Sequence, residues 1–182
     1  MIIAVYGSAN AEPDSTLYQV ALDLGRLLAQ AGHTVMTGGY CGTMEAVSRG
    51  AIEAGGKTIG VTCTEIDTWR PMGANPWVQT EVPTQSLEKR LEVLTRQPKG
   101  MIALPGGIGT LCEITLALNL MAIAAVPARP CILVGEEWKQ TYQTFFARNA
   151  AFISAADQAR IQFAPDAVMA VSLLNDTVTT RE

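Results

Sequence analysis

Met101-Ile102-Ala103-Leu104-Pro105-Gly106-Gly107-Ile108-Gly109-Thr110-Leu111-Cys112-Glu113 is the stretch from which the fold can be read. A short apolar run gives way to a loop of small and turn-forming residues, and the loop opens into a long helical pattern. A strand that feeds a helix through glycine is the unit of a parallel sheet. The same arrangement occurs twice upstream. Ile2–Tyr6 reads as a strand ending in Gly7-Ser8-Ala9-Asn10, and His33–Thr37 reads as a strand running into Gly38-Gly39-Tyr40-Cys41-Gly42. The three loops would lie together at the carboxyl edge of the sheet, where open α/β sheets bind ligands. Amides left free at a following helix start suit an anion, and glycine permits approaches that a Cβ would block. The bland alternative is that each is only a tight strand-to-helix turn. No Gly-Lys-Ser/Thr ending and no GxGxxG spacing occurs, so neither a P-loop nor a dinucleotide fingerprint is present.

Working outward, Asp14 or Ser15 can cap a helix that runs to about Ala31, with Leu17, Ala21, Leu24 and Leu28 at helical spacing, and Gly32 stops it. A helix is expected over 43–54, a strand over 58–62 and a helix over 83–96. Further on, the pattern gives a strand at 101–104, a helix over 111–125, a strand at 131–134 and a helix over 137–150. Beyond Phe152 only 165–174 reads as helical, 64–78 reads as a surface loop and 175–182 as a polar tail. The alternation predicts one α/β domain over 1–182, an open parallel sheet with helices on both faces. The helix over 111–125 is apolar nearly all round, so both its faces need cover, and a homodimer built with the Leu87/Leu91/Leu94 face would supply it.

Composition narrows the function. Of 182 residues, 48% are apolar and 16% charged, which suits a chain with a sizeable core. The formal net charge of −4 and the lack of a basic stripe argue against a nucleic-acid partner. The apolar stretch 111–126 is short for a membrane span and carries Glu113, Thr115 and Asn119. The amino terminus has no basic n-region or cleavage signal, so a cytoplasmic, membrane-free protein is expected. Cys41, Cys63, Cys112 and Cys131 show no CxxC spacing and only His33 accompanies them, so neither a metal nor a disulfide framework is expected. No cofactor is implied: Lys57, Lys89, Lys99 and Lys139 lie in no Schiff-base context.

Pro105–Glu113 matches the PGGxGTxxE motif, Gly38–Val47 is similar to a second glycine loop and Gly7-Ser8 to a first. On these residues, which cover roughly 1–135, the chain resembles the LOG (lonely guy) family, often mislabelled as lysine decarboxylases. The resemblance implies a dimeric Rossmann-like fold that hydrolyses the N-glycosidic bond of an AMP-like nucleoside 5′-monophosphate, a small-molecule partner. It assigns the catalytic pair to Arg90 and Glu113. It assigns the phosphate and nucleotide contacts to Gly7, Ser8, Gly38, Gly39, Gly42, Thr43, Pro105, Gly106, Gly107, Gly109 and Thr110. A carboxylate could stabilise the oxocarbenium-like state, while the arginine could hold phosphate bidentately or aid departure of the base. Taken alone, Thr110-x-x-Glu113 reads as a capping box, with an ionised carboxylate in the first turn of a helix.

The sequence departs from the family pattern at Leu91 (for lysine), Cys112 (for an acidic residue), Tyr40 (for glycine) and Glu45 (for a small residue). A Glu45 facing the pocket would repel phosphate. The Met44-Glu45-Ala46 wording is similar to the superfamily's binding and carrier proteins, molybdenum-cofactor carriers among them. A non-hydrolytic carrier of a nucleotide-like ligand is therefore the alternative, and a structural protein keeping only the fold a third. Arg70, Asn75 and Trp77 could cover a base, with stacking from Trp77, or could anchor their loop on the core.

Overall fold

The computed structural model describes residues 1–179, with side chains to residue 176. Among these residues seven strands form one sheet: β1 (Ile2–Tyr6), β2 (Thr34–Thr37), β3 (Lys57–Cys63), β4 (Thr80–Thr84), β5 (Gly100–Ala103), β6 (Cys131–Val134) and β7 (Gln162–Ala164). All pairings are parallel and the order is β4-β3-β2-β1-β5-β6-β7. This is the expected α/β, Rossmann-like sheet. Its strand order reverses between β1 and β5, which opens a crevice at their carboxyl ends. The loops after β2, β1 and β5 are therefore neighbours.

Among the described residues eight helices accompany the strands: α1 (Thr16–Gln30), α2 (Thr43–Glu53), α3 (Thr64–Trp69), α4 (Leu87–Arg96), α5 (Ile108–Ala122), α6 (Glu136–Arg148), α7 (Ala155–Gln158) and α8 (Ala167–Thr179). Side chains alternate along each strand. Ile3, Val5 and Val35 face a core shared with α1, α2 and α8. Ala4, Tyr6 and Met36 face a second core with α4, α5 and α6. Both faces are covered, which is why β1, β5 and β6 read as unbroken apolar runs.

Several boundaries differ from expectation. Pro83 sits in β4 opposite Thr62 instead of starting a helix. β4 is an edge strand with Val82 as its one half-buried apolar side chain, and an edge tolerates proline. The helix starts later, where Ser86 Oγ accepts from the Lys89 amide. The 64–78 loop contains α3. The short edge strand β7 and the single turn α7 were not foreseen, and 175–179, expected as tail, continues α8. Residues 180–182 of that expected tail lie outside the described residues.

α1 and α2 approach closely because each offers a glycine at the crossing. A Cβ on Gly25 would stand 2.1 Å from the Val47 carbonyl oxygen, and one on Gly50 1.9 Å from that of Leu22. Gly50→Ala must separate the helices, and we expect a loss of about 1–3 kcal/mol of stability, read as a lower urea midpoint at unchanged slope. A midpoint equal to wild type would show that the crossing is not a tight constraint.

Candidate functional site

The backbone of Ser8 binds the three glycine loops together. Its amide donates to the Pro105 carbonyl (3.2 Å), and its own carbonyl accepts from the Thr43 amide (2.9 Å) and the Thr43 hydroxyl (3.1 Å). Gly7 and Gly42 permit this. A Cβ on Gly7 would lie 2.5 Å from Thr43 Oγ1, and one on Gly42, where φ is +67°, 2.4 Å from the Ser8 oxygen. Thr43 thus spends its amide and hydroxyl on loop structure. Gly39 (φ +81°) packs on Gly60, and its carbonyl accepts from the Asn75 amide and side chain. Pro105 and Gly106 support the third loop, a Cβ on Gly106 meeting Thr110 Oγ1 at 2.3 Å.

A cavity of about 340 Å³ opens beside these loops. Its walls include Gly7, Ser8, Gly38, Arg90, Gly107, Gly109, Thr110 and Glu113. Of the residues assigned from sequence, Gly39, Gly42, Thr43, Pro105 and Gly106 stand behind this wall. α1 begins far downstream of the first loop and is capped by the Ser15 hydroxyl. Only α2 and α5 start at the glycine loops, on Gly42 and Gly107, and neither has a side-chain cap. The first-turn amides of α5, with the positive end of its dipole, are the cavity's anion-receptive element.

Arg90 comes from α4 and is 7% exposed. Its Nε donates to the Val61 carbonyl (2.8 Å) and its Nη2 to the Gly38 carbonyl (3.1 Å). Tyr40 lies beneath it, with the guanidinium carbon 5.5 Å from the ring centroid. Tyr40 is itself fixed at the end of β3: its hydroxyl donates to the Cys63 carbonyl (3.1 Å) and accepts from the Cys63 amide (2.8 Å). Gly38 leaves room for the arginine, since a Cβ there would stand 1.8 Å from Nη2. With one edge of the guanidinium held by backbone, Nη1 is the nitrogen turned toward Glu113. Single-nitrogen contact fits this geometry better than a bidentate grip on phosphate.

Glu113 is not a cap. α5 begins at Ile108, so Thr110 is its third residue and Glu113 its sixth, beyond the reach of the helix start. The expected first-turn, readily ionised carboxylate is corrected accordingly. Burial raises its pKa to about 7, opposed by the charge of Arg90, whose Nη1 is 3.9 Å from Oε1. Among the described residues its carboxylate makes no hydrogen bond.

Other expectations resolve in position. Glu45 turns from the main cavity into an adjoining chamber of about 230 Å³, where Oε1 accepts from the Tyr18 hydroxyl (3.2 Å). Cys41 lines both spaces and donates its thiol proton to the Ala9 carbonyl, whereas Cys112 is exposed and lines neither. Asn75 anchors its loop on the carbonyls of Gly39 and Tyr40, and Trp77 lies under Arg49. Trp69, Arg70 and Met72 reach the cavity from α3 and the segment after it. Trp69 lines the cavity from a segment with no apolar period to mark it, and Tyr40, a departure from the family's glycine, lies beneath Arg90. Among the described residues no cluster of His, Cys, Asp or Glu is placed to hold a metal, and no helix is long and apolar enough to cross a membrane.

A strand-order switch with an uncapped helix start beside a buried Arg–Glu pair defines a Rossmann-like α/β protein whose crevice has the chemistry to suit an anion. The chain belongs to the SLOG cluster4 family, whose sequence pattern matches residues 1–161. It is 31% identical over 113 residues to a Mycobacterium tuberculosis protein named cytokinin riboside 5′-monophosphate phosphoribohydrolase, covering 62% of this chain and 59% of that one. It is 30% identical over 153 residues to the pyrimidine/purine nucleotide 5′-monophosphate nucleosidase of Escherichia coli K12, covering 78% of this chain but 32% of that one. The chain thus spans less than two thirds of either relative. Its fold is similar to the molybdenum cofactor binding protein of Rippkaea orientalis, with TM-score 0.77, 27% identity, and 97% and 96% of the two chains covered.

Because folding raises the proton affinity of Glu113, the neutral form favours the folded state. That contribution is complete below the ordinary value of 4.5 and is lost as pH rises through about 7. Glu113→Gln should therefore gain stability over wild type between those values, by at most about 3 kcal/mol at ~1.4 kcal/mol per pKa unit. Denaturation at pH 5 and pH 8 checks this, and an equal difference at both would mean the carboxylate does not titrate in that window.

Proposed function

We propose that this chain hydrolyses the N-glycosidic bond of nucleoside 5′-monophosphates, releasing free base and ribose 5-phosphate. The observation that carries the reading is the enclosed Arg90–Glu113 pair in a cavity whose wall is the start of α5. The names of the M. tuberculosis and E. coli relatives support it.

The phosphate rests on the amides at the start of α5, with Thr110 in the same wall. The ribose then lies toward Glu113. Ionised, this carboxylate opposes the positive charge that develops at C1′ and orients an attacking water. The C1′–N bond breaks with its electron pair moving to the base, which takes up a proton from solvent. Water adds its oxygen to C1′ and passes a proton to Glu113, which releases it to solvent and is ionised again. Arg90, held by two carbonyls and the Tyr40 ring, keeps Nη1 directed at Glu113 and favours its charged form. Wild type should release base from a panel of mononucleotides, with kcat rising as pH passes through about 7. Glu113→Gln should lose about 10²–10³-fold, and Gly38→Ala, which displaces the arginine, should follow Arg90→Ala.

The second reading is a non-hydrolytic carrier of a nucleotide-like ligand. The near-complete match to the R. orientalis cofactor-binding protein favours it. Mononucleotide binding without base release from any substrate would establish it over the first.

We also infer a homodimer, in the reducing cytoplasm that four unpaired cysteines suit. Leu94 is wholly buried within the protomer, so the contact would use Leu87, 44% exposed, with Leu91 and Ile108. Sedimentation should give twice the protomer mass, and Leu87→Glu should halve it; a wild-type monomer would dispose of the idea.

A further inference from the structure

Three tryptophans occupy three different environments. Trp138 is buried in the core, and its indole nitrogen donates to the Leu104 carbonyl (2.9 Å). Trp77 is half-buried beneath Arg49, and its backbone is tied to Thr58 and Asn75. Trp69 is 82% exposed, yet it forms part of the wall of the cavity that contains Glu113. An indole left in water forgoes the gain of burial. It does so here at the rim of a cavity that pairs an anion-receptive helix start with a buried carboxylate.

The short helix carrying Trp69 is fastened to the catalytic side of the molecule. Glu65 Oε2 accepts from the Leu87 amide (2.8 Å), the first residue of the helix that bears Arg90, and Thr64 donates to the Thr84 carbonyl (3.3 Å). The tether sets α3 against the cavity while none of its six residues is buried. If the phosphate lies at α5 and C1′ near Glu113, the base extends from the enclosed end toward a more open wall. Tyr6 and Tyr40 also line the cavity but are buried, whereas Trp69 is an exposed aromatic surface on its wall.

We propose that Trp69 is the residue that recognises the base, stacking its indole on a planar ring. The ligand class of the site is then a phosphorylated sugar carrying an aromatic base, and not a sugar phosphate alone. This rests on the nucleotide reading of the cavity. Stacking accepts any planar base, since every base presents a π-face. Affinity at this point therefore comes from ring area rather than from hydrogen-bond readout.

The test reads binding instead of turnover, using the full chain with Glu113→Gln in every sample so that no substrate is consumed. Adenosine 5′-monophosphate and ribose 5-phosphate are titrated by calorimetry and by intrinsic fluorescence. We expect AMP, but not ribose 5-phosphate, to quench emission, and the quench to vanish in Trp69→Leu. That variant should bind AMP about tenfold more weakly, equivalent to ~1.4 kcal/mol, with ribose 5-phosphate unaffected. Trp69→Phe should recover most of the AMP affinity. Equal AMP affinity with and without Trp69 overturns the proposal, as does an equal loss for both ligands. Failure of AMP to bind any of the proteins, with each shown folded by its thermal transition, overturns the nucleotide reading itself and this proposal with it.

Discussion

Three loops from three strands meet on the backbone of one residue, Ser8, and the site depends on that meeting. β2, β1 and β5 are adjacent and parallel, so their carboxyl ends lie about one strand spacing, ~4.8 Å, apart. At that separation the loops cannot pass one another with side chains in the way. Ser8 joins them by donating to the third loop and accepting twice from the start of α2. Gly7 and Gly42 answer to this crowding before they answer to any ligand, since a Cβ on either would fall within 2.5 Å of the fastening atoms. What remains for the ligand is the part of the third loop not consumed by the fastening, Gly107 to Thr110 at the start of α5.

The second constraint is a charge largely withdrawn from water. Taking a guanidinium out of solvent is costly unless its hydrogen bonds are replaced. Arg90 replaces them with the carbonyls of Val61 and Gly38 and with the face of Tyr40. Gly38 therefore has a different task from its neighbours in the loop, because its missing Cβ is the space the arginine occupies. Tyr40, which stands where a glycine would be expected, supplies the surface beneath the arginine and reaches the end of β3. The departure at Tyr40 and the burial of Arg90 belong to one arrangement.

Much of the fold could be read from periodicity. β1, β2, β5 and β6 are short apolar runs between glycine and proline signals, and α1 carries its stripe from Leu17 to Leu28. The edges could not be read that way. β4 is Thr-Glu-Val-Pro-Thr, and α3 is Thr-Glu-Ile-Asp-Thr-Trp with nothing buried, so neither leaves an apolar period. The glycine loops announced the location of the site, because spacing records where backbone must pass close. Environment leaves no such record. That Glu113 lies one turn too deep to cap, and that Trp69 rather than Trp77 faces the cavity, follow from where α5 begins and from how residues 64–78 fold.

Glu113 is where a carrier and a hydrolase would part company. An anion could be held by the start of α5 and a fixed arginine alone, with no carboxylate present. A buried carboxylate without a hydrogen-bond donor is a liability for such a protein: it repels phosphate when ionised and destabilises the fold as it ionises. A glutamine or an apolar side chain of similar volume would serve a pure binding protein at lower cost. Glu113 nonetheless occupies the cavity wall, 3.9 Å from the one guanidinium nitrogen that no backbone carbonyl holds. An ionisable group kept near neutrality by burial, and drawn toward its charged form by a cation, can take up and release a proton at working pH. That property serves a proton-transfer reaction more directly than storage, and it is the physical ground on which the hydrolytic reading stands ahead of the carrier reading.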